Sequence, residues 1–178
     1  MRYVTTPHAC RLTGLSTERL REWTSRRALI PADVKPRRKG SPAKYTWQTI
    51  LILRLAVTLR EQFHIELQAH KSLFNSLRRE LRTKSFLALW GQNVALLGGD
   101  RWTFVEEAAG HLLANDVLVL RLNAHLDVLS AGFALPSPAT VPGQFDLFPV
   151  QAVPGLPIKQ VRRRPPIKLT VPARRRSA

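Results

Sequence analysis

Three helix patterns between residues 6 and 67, separated by a glycine turn and then by a basic loop, constrain the fold of this chain most strongly. Thr6 is placed to cap a helix with Pro7 at its first position, and Gly14 supplies the left-handed residue that ends such a helix. Ser16 is placed to cap a second helix, in which Leu20 lies on the apolar face. We therefore expect two short helices joined by a tight turn.

The chain from residue 31 to 45 is rich in Pro, Lys, Arg and Gly, a composition that predicts a turn or a hairpin. Thr46 is placed to cap a third helix that runs past Val57. Because only a thin polar stripe interrupts its apolar residues, we expect this helix to be the core of the first domain. Trp23 and Trp47 are expected to pack in that core.

A fourth helix is predicted from Glu66 to Trp90, because apolar residues recur there every seven positions. Such a helix packs on its own chain or forms a coiled-coil dimer, and the sequence leaves both alternatives open. Three β-branched or aromatic segments follow and predict a small antiparallel sheet. They are Asn93–Leu97, Arg101–Val105 and Val117–Leu122. Asn123 is then placed to cap a short helix that ends at Leu129.

The net charge of +16 is unevenly distributed along the chain. It is +9 over residues 1–65, zero over residues 66–135 and +7 over residues 136–178. A folded region of +9 repels itself, so an anionic partner is expected, and nucleic acid is the favoured one. The last segment holds nine prolines in 43 residues and is expected to be a Pro/Arg-rich disordered tail.

Composition also excludes several classes of protein. A single cysteine, Cys10, allows neither an intramolecular disulfide nor a Cys-rich zinc site. The longest aliphatic runs are too short to cross a bilayer, so no membrane partner is expected. The start of the chain does not resemble a signal peptide, and we expect a cytoplasmic location. No nucleophile elbow, phosphate-binding glycine loop or carboxylate cluster is recognisable, so no catalytic site, metal or cofactor is expected.

Residues 9–67 resemble the DNA-binding domain of MerR-type transcription regulators. Leu20, Arg21 and Trp23 occupy the positions of that family's leucine-arginine pair and following aromatic, within the stretch RLTGLSTERLREWTSRRALIP. A basic-Tyr-Thr step before the next helix is similar to the end of the family's wing. Ala28 departs from the glycine that is usual there. The resemblance implies a winged helix-turn-helix, mainly α with a small β component, over residues 1–65.

The second helix would then read the major groove, while the basic wing holds phosphates or enters a minor groove. Arg19 or Arg21 is the candidate for base readout, because arginine fits guanine bidentately. The predicted DNA-binding residues are Thr17, Arg19, Arg21, Arg37, Arg38, Lys39, Lys44 and Tyr45. The function indicated is a sequence-specific transcriptional regulator that binds double-stranded DNA as a homodimer on the bacterial nucleoid.

Residues 66–135 are interpreted as a connecting helix and a small α+β module for dimerisation or for a protein partner. In the tail, the segment from Gln144 to Phe148 resembles the peptide by which bacterial proteins dock on the DNA polymerase sliding clamp. Its contact residues would be Gln144, Asp146, Leu147 and Phe148. Two other functions stay open: an excisionase-like accessory factor for recombination or replication, and an antitoxin-like protein-interaction module.

Overall fold

The computed structural model describes residues 2–36, 38, 41–106 and 116–138. Contacts group residues 1–143 into one compact unit, and all the described residues belong to it. Within them, helices dominate and the β component is small and antiparallel, which confirms the predicted class, mainly α with a small β component.

The described elements follow the chain in this order. The helices are α1 (Thr6–Thr13), α2 (Thr17–Arg21), α3 (Trp47–Glu61), α4 (Lys71–Thr83) and α5 (Asn123–Phe133). A π-helical turn extends α2 over Glu22–Arg26, and short 3-10 turns lie at Leu67–His70 and Leu87–Leu89. The strands are β1 (Val4–Thr5), β2 (Lys44–Tyr45), β3 (Gln92–Leu96), β4 (Trp102–Glu106) and β5 (Leu118–Arg121).

α1 and α2 are joined by the tight turn that the sequence predicts. Gly14 has a φ of +74°, and its N–H donates to the carbonyl oxygen of Cys10, which ends α1. Ser16 caps α2, since its hydroxyl accepts a hydrogen bond from the Arg19 N–H at 3.2 Å. The predicted cap of α1 is wrong by one residue: Thr5 is the N-cap because its backbone is still extended as part of β1.

The basic loop between α2 and α3 is a hairpin. Val34 and Lys44 exchange two backbone hydrogen bonds, 3.0 and 3.1 Å long, in an antiparallel bridge. On the other side of β2, Val4 lies opposite Tyr45 in an antiparallel pair with β1. The backbone at the base of the hairpin is therefore paired on both sides, while Arg37, Lys39 and Gly40 lie outside the described residues.

α3 is the central helix, as the sequence predicts. Thr46 caps it by accepting a hydrogen bond from the Thr49 N–H at 3.5 Å. Nine of its 15 residues are buried, and it packs against α1, α4 and α5. Trp23 is buried as expected, and the half-buried ring of Trp47 meets Phe86 edge to face at 5.2 Å.

The prediction of one continuous fourth helix from Glu66 to Trp90 is wrong. The backbone is extended at Lys84, where α4 has ended, and a new turn starts at Ser85, whose hydroxyl accepts from the Ala88 N–H. The break turns Phe86 and Leu89 into the core, where both are buried. Helix periodicity within the segment does not reveal this change of direction, because it is set by the neighbours on which the chain packs.

The apolar residues that recur along this segment face the chain's own core. Leu67, Phe74 and Leu81 are each 2% exposed or less, whereas Ala88 is exposed. The sequence left open whether this segment packs on its own chain or forms a coiled coil, and these buried residues pack on their own chain. The face that a coiled-coil partner would need is covered within the protomer.

β3 lies at the centre of a three-stranded antiparallel sheet, with β4 and β5 at its edges. The three predicted strands are confirmed, and each end of each strand lies within one residue of the predicted position. One face packs on α4, where the indole N–H of Trp102 donates to the hydroxyl of Ser76 at 2.7 Å. The ammonium of Lys84, just after α4, lies 4.9 Å from the centre of the Phe104 ring of β4 and makes a cation–π contact with it.

α5 begins at Asn123, one residue earlier than predicted, and ends at Phe133 instead of Leu129. Leu122, not Asn123, is its N-cap residue. The side chain of Asn123 is engaged elsewhere, because its Oδ1 accepts a hydrogen bond from the Gly91 N–H at 3.0 Å. A tertiary contact has therefore replaced the predicted local cap.

One hydrophobic core extends from Val4 to Phe133 and crosses residue 65, where the sequence analysis placed a domain boundary. Arg54 of α3 forms a polar link inside it. Its guanidinium donates to the carbonyl oxygen of Leu12 in α1 and to Nδ1 of His125 in α5, the latter at 3.2 Å. Contacts of this kind join residues 1–65 and residues 66–135 in one compact unit.

Burial, and then the charge of Arg54, lower the pKa of His125 from 6.5 to about 4. The unfolded chain therefore binds a proton at this site between pH 6.5 and about 4 while the folded chain does not. We expect the free energy of unfolding to fall by about 1–2 kcal/mol as pH drops through this window, after allowance for solvent screening. Urea unfolding at a series of pH values measures the loss.

His125→Gln keeps an acceptor for Arg54 but does not titrate, so the pH dependence in this window is expected to flatten. His64→Gln, at an exposed histidine, serves as the matched control and should leave the dependence in place. An unchanged dependence in His125→Gln would assign it to other groups.

Candidate functional site

An open groove of about 630 Å³ runs between α2 and the hairpin. We call it the basic groove and define it by six of the side chains that line it: Thr17, Arg21, Ser25, Arg26, Arg38 and Ser41. The first four come from α2 and its π-helical turn, and the other two come from the tip of the hairpin. The exposed side of a short helix and the tip of the hairpin thus face one concavity.

The spacing of the helical residues explains why they share a side. Thr17, Arg21 and Ser25 are four residues apart, so they lie on one helical face. Leu20 and Trp23 occupy the opposite face and are buried, which anchors the helix on the core. The exposed polar stripe is therefore held rigidly by the apolar stripe behind it.

The π-helical turn adds Arg26, which the sequence analysis missed. A π-helix closes its hydrogen bonds five residues apart, so Arg26 comes close to the direction of Arg21. The Arg27 N–H donates to the Glu22 carbonyl oxygen in this pattern, and Ala28 then takes a positive φ of +46°. A helix with 3.6 residues per turn does not predict this direction for Arg26. A spacing of four residues from Arg21 leads only to Ser25.

The charges around the groove are unbalanced. Arg21, Arg26 and Arg38 are exposed, and none of the three forms an ion pair with a described residue. No acidic side chain is found among the described residues that line the groove. Glu22, the nearest acid in sequence, is held by Arg27 at 2.6 Å. The groove is consequently a site of unneutralised positive charge, which favours an anion.

The structure brings together only part of the predicted contact set. Of that set, Thr17, Arg21, Arg38 and Tyr45 line the groove. The hydroxyl of Thr17 lies 3.8 Å from the sulfur of Cys10, which places α2 against α1. Arg19 does not line the groove, because it points to the end of α3, where it lies 3.7 Å from Glu61 in an exposed pair.

The remaining predicted DNA-binding residues belong to the segment between α2 and α3. Lys44 is exposed on β2 but does not line the groove. Tyr45 lines the groove but is only 1% exposed and is part of the core, so it has almost no surface to offer a phosphate. Arg37 and Lys39 lie outside the described residues, as does the predicted clamp-binding segment from Gln144 to Phe148.

Asp33 positions the hairpin against the helices. One oxygen of its carboxylate accepts hydrogen bonds from the N–H and the hydroxyl of Thr46, at 2.7 and 3.0 Å. The other oxygen accepts from Arg78 of α4 at 2.7 Å, and the same guanidinium donates to the carbonyl oxygen of Pro31 at 2.7 Å. The two ends of the hairpin, at Pro31 and Thr46, are therefore tied to each other and to α4.

This carboxylate is ionised in spite of its surroundings. Burial by itself raises the pKa of Asp33, but hydrogen bonds from Thr46 and Thr49 and the hydrogen bond and charge of Arg78 outweigh it, and the net shift is downward. The side chains of Arg78 and Asp33 are 13% and 12% exposed. The pair is thus a largely buried, hydrogen-bonded ion pair at the base of the hairpin.

In the part of the chain that the structure describes, no three His, Cys, Asp or Glu side chains come close enough together to hold a metal ion. None of the helices described is both long enough and apolar enough to cross a bilayer.

We expect Asp33→Ala to lower the free energy of unfolding by about 3 kcal/mol, because it leaves the charge of the largely buried Arg78 uncompensated and frees the base of the hairpin. Thermal or urea unfolding gives the value. Glu80→Ala is the matched control, since Glu80 forms an exposed pair with Lys84 at 3.8 Å and should cost about 0.5 kcal/mol or less. Equal losses in the two variants would contradict the role assigned to Asp33.

Comparison with known proteins gives no relative: no family model matches the chain, and no curated protein matches it. The function proposed below is therefore argued from the geometry and charge of the basic groove.

Proposed function

We propose that the protein binds double-stranded DNA as a sequence-specific transcriptional regulator, through the basic groove. The observation that carries the proposal is the set of three unpaired arginines, Arg21, Arg26 and Arg38, on a helix and a hairpin that face one concavity. A helix and a neighbouring loop are the two elements that a winged helix-turn-helix applies to duplex DNA. The order α1, turn, α2, hairpin and α3 supports that assignment and agrees with the resemblance to MerR-type regulators.

In this proposal α2 and its π-helical turn enter the major groove, which is about 12 Å wide and admits one helix. Thr17 and Arg21 reach base edges, and Arg21 pairs with a guanine. Arg26 and Arg38 hold phosphates on either side and so set the register of the helix. Arg19 is left out of the contact set, because it is paired with Glu61 on another side.

We further propose that two copies bind a symmetric operator, with half-sites one helical turn apart, on the bacterial nucleoid. Two copies are needed because a single five-residue helix reads too few base pairs to select one site in a genome. The face of α4 that the sequence offered for a coiled coil is buried in the protomer, so the dimer would use another surface.

The test starts with selection of bound duplexes from a random library, followed by fluorescence anisotropy on the selected site. Arg21→Ala is expected to weaken binding by roughly 5- to 150-fold and to relax selection at one guanine. Arg38→Ala should weaken binding to all sequences alike. Arg79→Ala, which removes the same charge from an exposed position on α4, is the matched control and should bind nearly as the unaltered chain does.

Binding is also expected to weaken steeply with salt, since each neutralised phosphate releases counterions. The slope of log affinity against log salt should fall by about one in Arg38→Ala and stay unchanged in Arg21→Ala if that side chain contacts only a base. An affinity that is flat between low and moderate salt, or equal in all three variants, would refute the groove as a DNA-binding surface.

A further inference from the structure

A second cavity, of about 390 Å³, shares no lining residue with the basic groove. It lies where the last turn of α3, the start of α4 and the ends of β3 and β5 meet. Leu59 and Leu73 form its buried floor, and Ile65, Leu96 and Leu118 form half-buried walls. Its volume falls in the range of small-molecule pockets, and its described walls are mostly aliphatic.

The rim of the cavity is shaped by two glycines and a polar cluster. Gly98 and Gly99 have φ values of +90° and +59°, and a Cβ at either position would meet no described residue within 4 Å, so these two residues leave their part of the rim open. Asp100 follows them and ties this turn to the start of α4. Its carboxylate contacts Nδ1 of His70 at 3.2 Å and accepts a hydrogen bond from the hydroxyl of Ser72.

Two ionisable side chains line the cavity, His70 and Asp116. His70 is already paired with Asp100. Asp116 is exposed and forms no hydrogen bond or ion pair with any described residue. The unbalanced charge at the mouth is therefore a single carboxylate above an aliphatic pocket.

We propose that this cavity binds a small apolar molecule that carries one protonated amine. The aliphatic walls take the apolar body, because its transfer from water is favourable and non-directional. The carboxylate of Asp116 pairs with the ammonium group at the mouth. A ligand of the same shape with a carboxylate is repelled, and one with a hydroxyl gains only the apolar part of the binding free energy. This binding is independent of any activity of the basic groove.

The test uses the full chain and three probes of one length: octylamine, octanol and octanoate. Binding is followed by two-dimensional amide NMR, in which glycine signals are well separated, so Gly98 and Gly99 report directly on the rim. We expect saturable shifts of these two signals with octylamine. Octanol should bind roughly three- to fivefold more weakly, the strength of one exposed ion pair, and octanoate more weakly still.

Asp116→Asn is expected to bring the affinity for octylamine down to that for octanol without changing the latter. Asp127→Asn removes an exposed carboxylate of α5 that does not line the cavity, and it should keep the preference for the amine. Absence of saturable shifts at Gly98 and Gly99 with every probe would overturn the site. Equal binding of octylamine and octanol by the unaltered chain, or an amine preference that survives Asp116→Asn, would overturn the assigned ligand chemistry.

Discussion

The largely buried ion pair between Asp33 and Arg78 sets the direction of the hairpin, and the geometry of the basic groove depends on it. A hairpin whose tip is exposed has no core of its own, so its direction must be set at its base. Asp33 sets it by accepting hydrogen bonds from Thr46, at the return of the hairpin, while Arg78 holds Pro31, at its start. The carboxylate also lies beside the cap of α3, so the hairpin and the central helix share one anchor.

α3 has the corresponding role for the rest of the molecule. Its buried residues are shared by α1, α4 and α5, and Arg54 adds a polar link between α1 and α5. The floor of the apolar cavity includes Leu59 from the last turn of α3, whereas the hairpin is anchored at Thr46, the N-cap of α3. The two candidate binding sites are therefore built at opposite ends of one helix, with a continuous core between them.

Local rules account for the elements that the sequence predicts correctly. The turn at Gly14 and the caps at Ser16 and Thr46 depend on contacts within a few residues. The three strands of the larger sheet are recognisable from short β-branched or aromatic runs, although β3 pairs with the distant β5. The failures lie where a distant contact competes. α4 ends early because Phe86 turns into the core, and Asn123 leaves its predicted cap to meet the backbone of Gly91.

The candidate site divides in the same way. The sequence identified a cationic region, two elements that carry it, and four residues that the structure brings to one groove: Thr17, Arg21, Arg38 and Tyr45. It did not separate Arg19, which lies on another side of the same helix, or anticipate the burial of Tyr45. The π-helical turn that follows this five-residue helix changes the direction in which Arg26 points. Residue spacing alone does not reveal such a turn.

By itself, then, the sequence determined composition, charge and the local signals that start and stop helices and strands, because these follow from each residue and its immediate neighbours. Only the tertiary structure decided which side chains stay exposed, where the hairpin points and that one core crosses residue 65. Those outcomes depend on pairs far apart in the chain, such as Asp33 with Arg78 and Arg54 with His125, whose proximity no local pattern encodes.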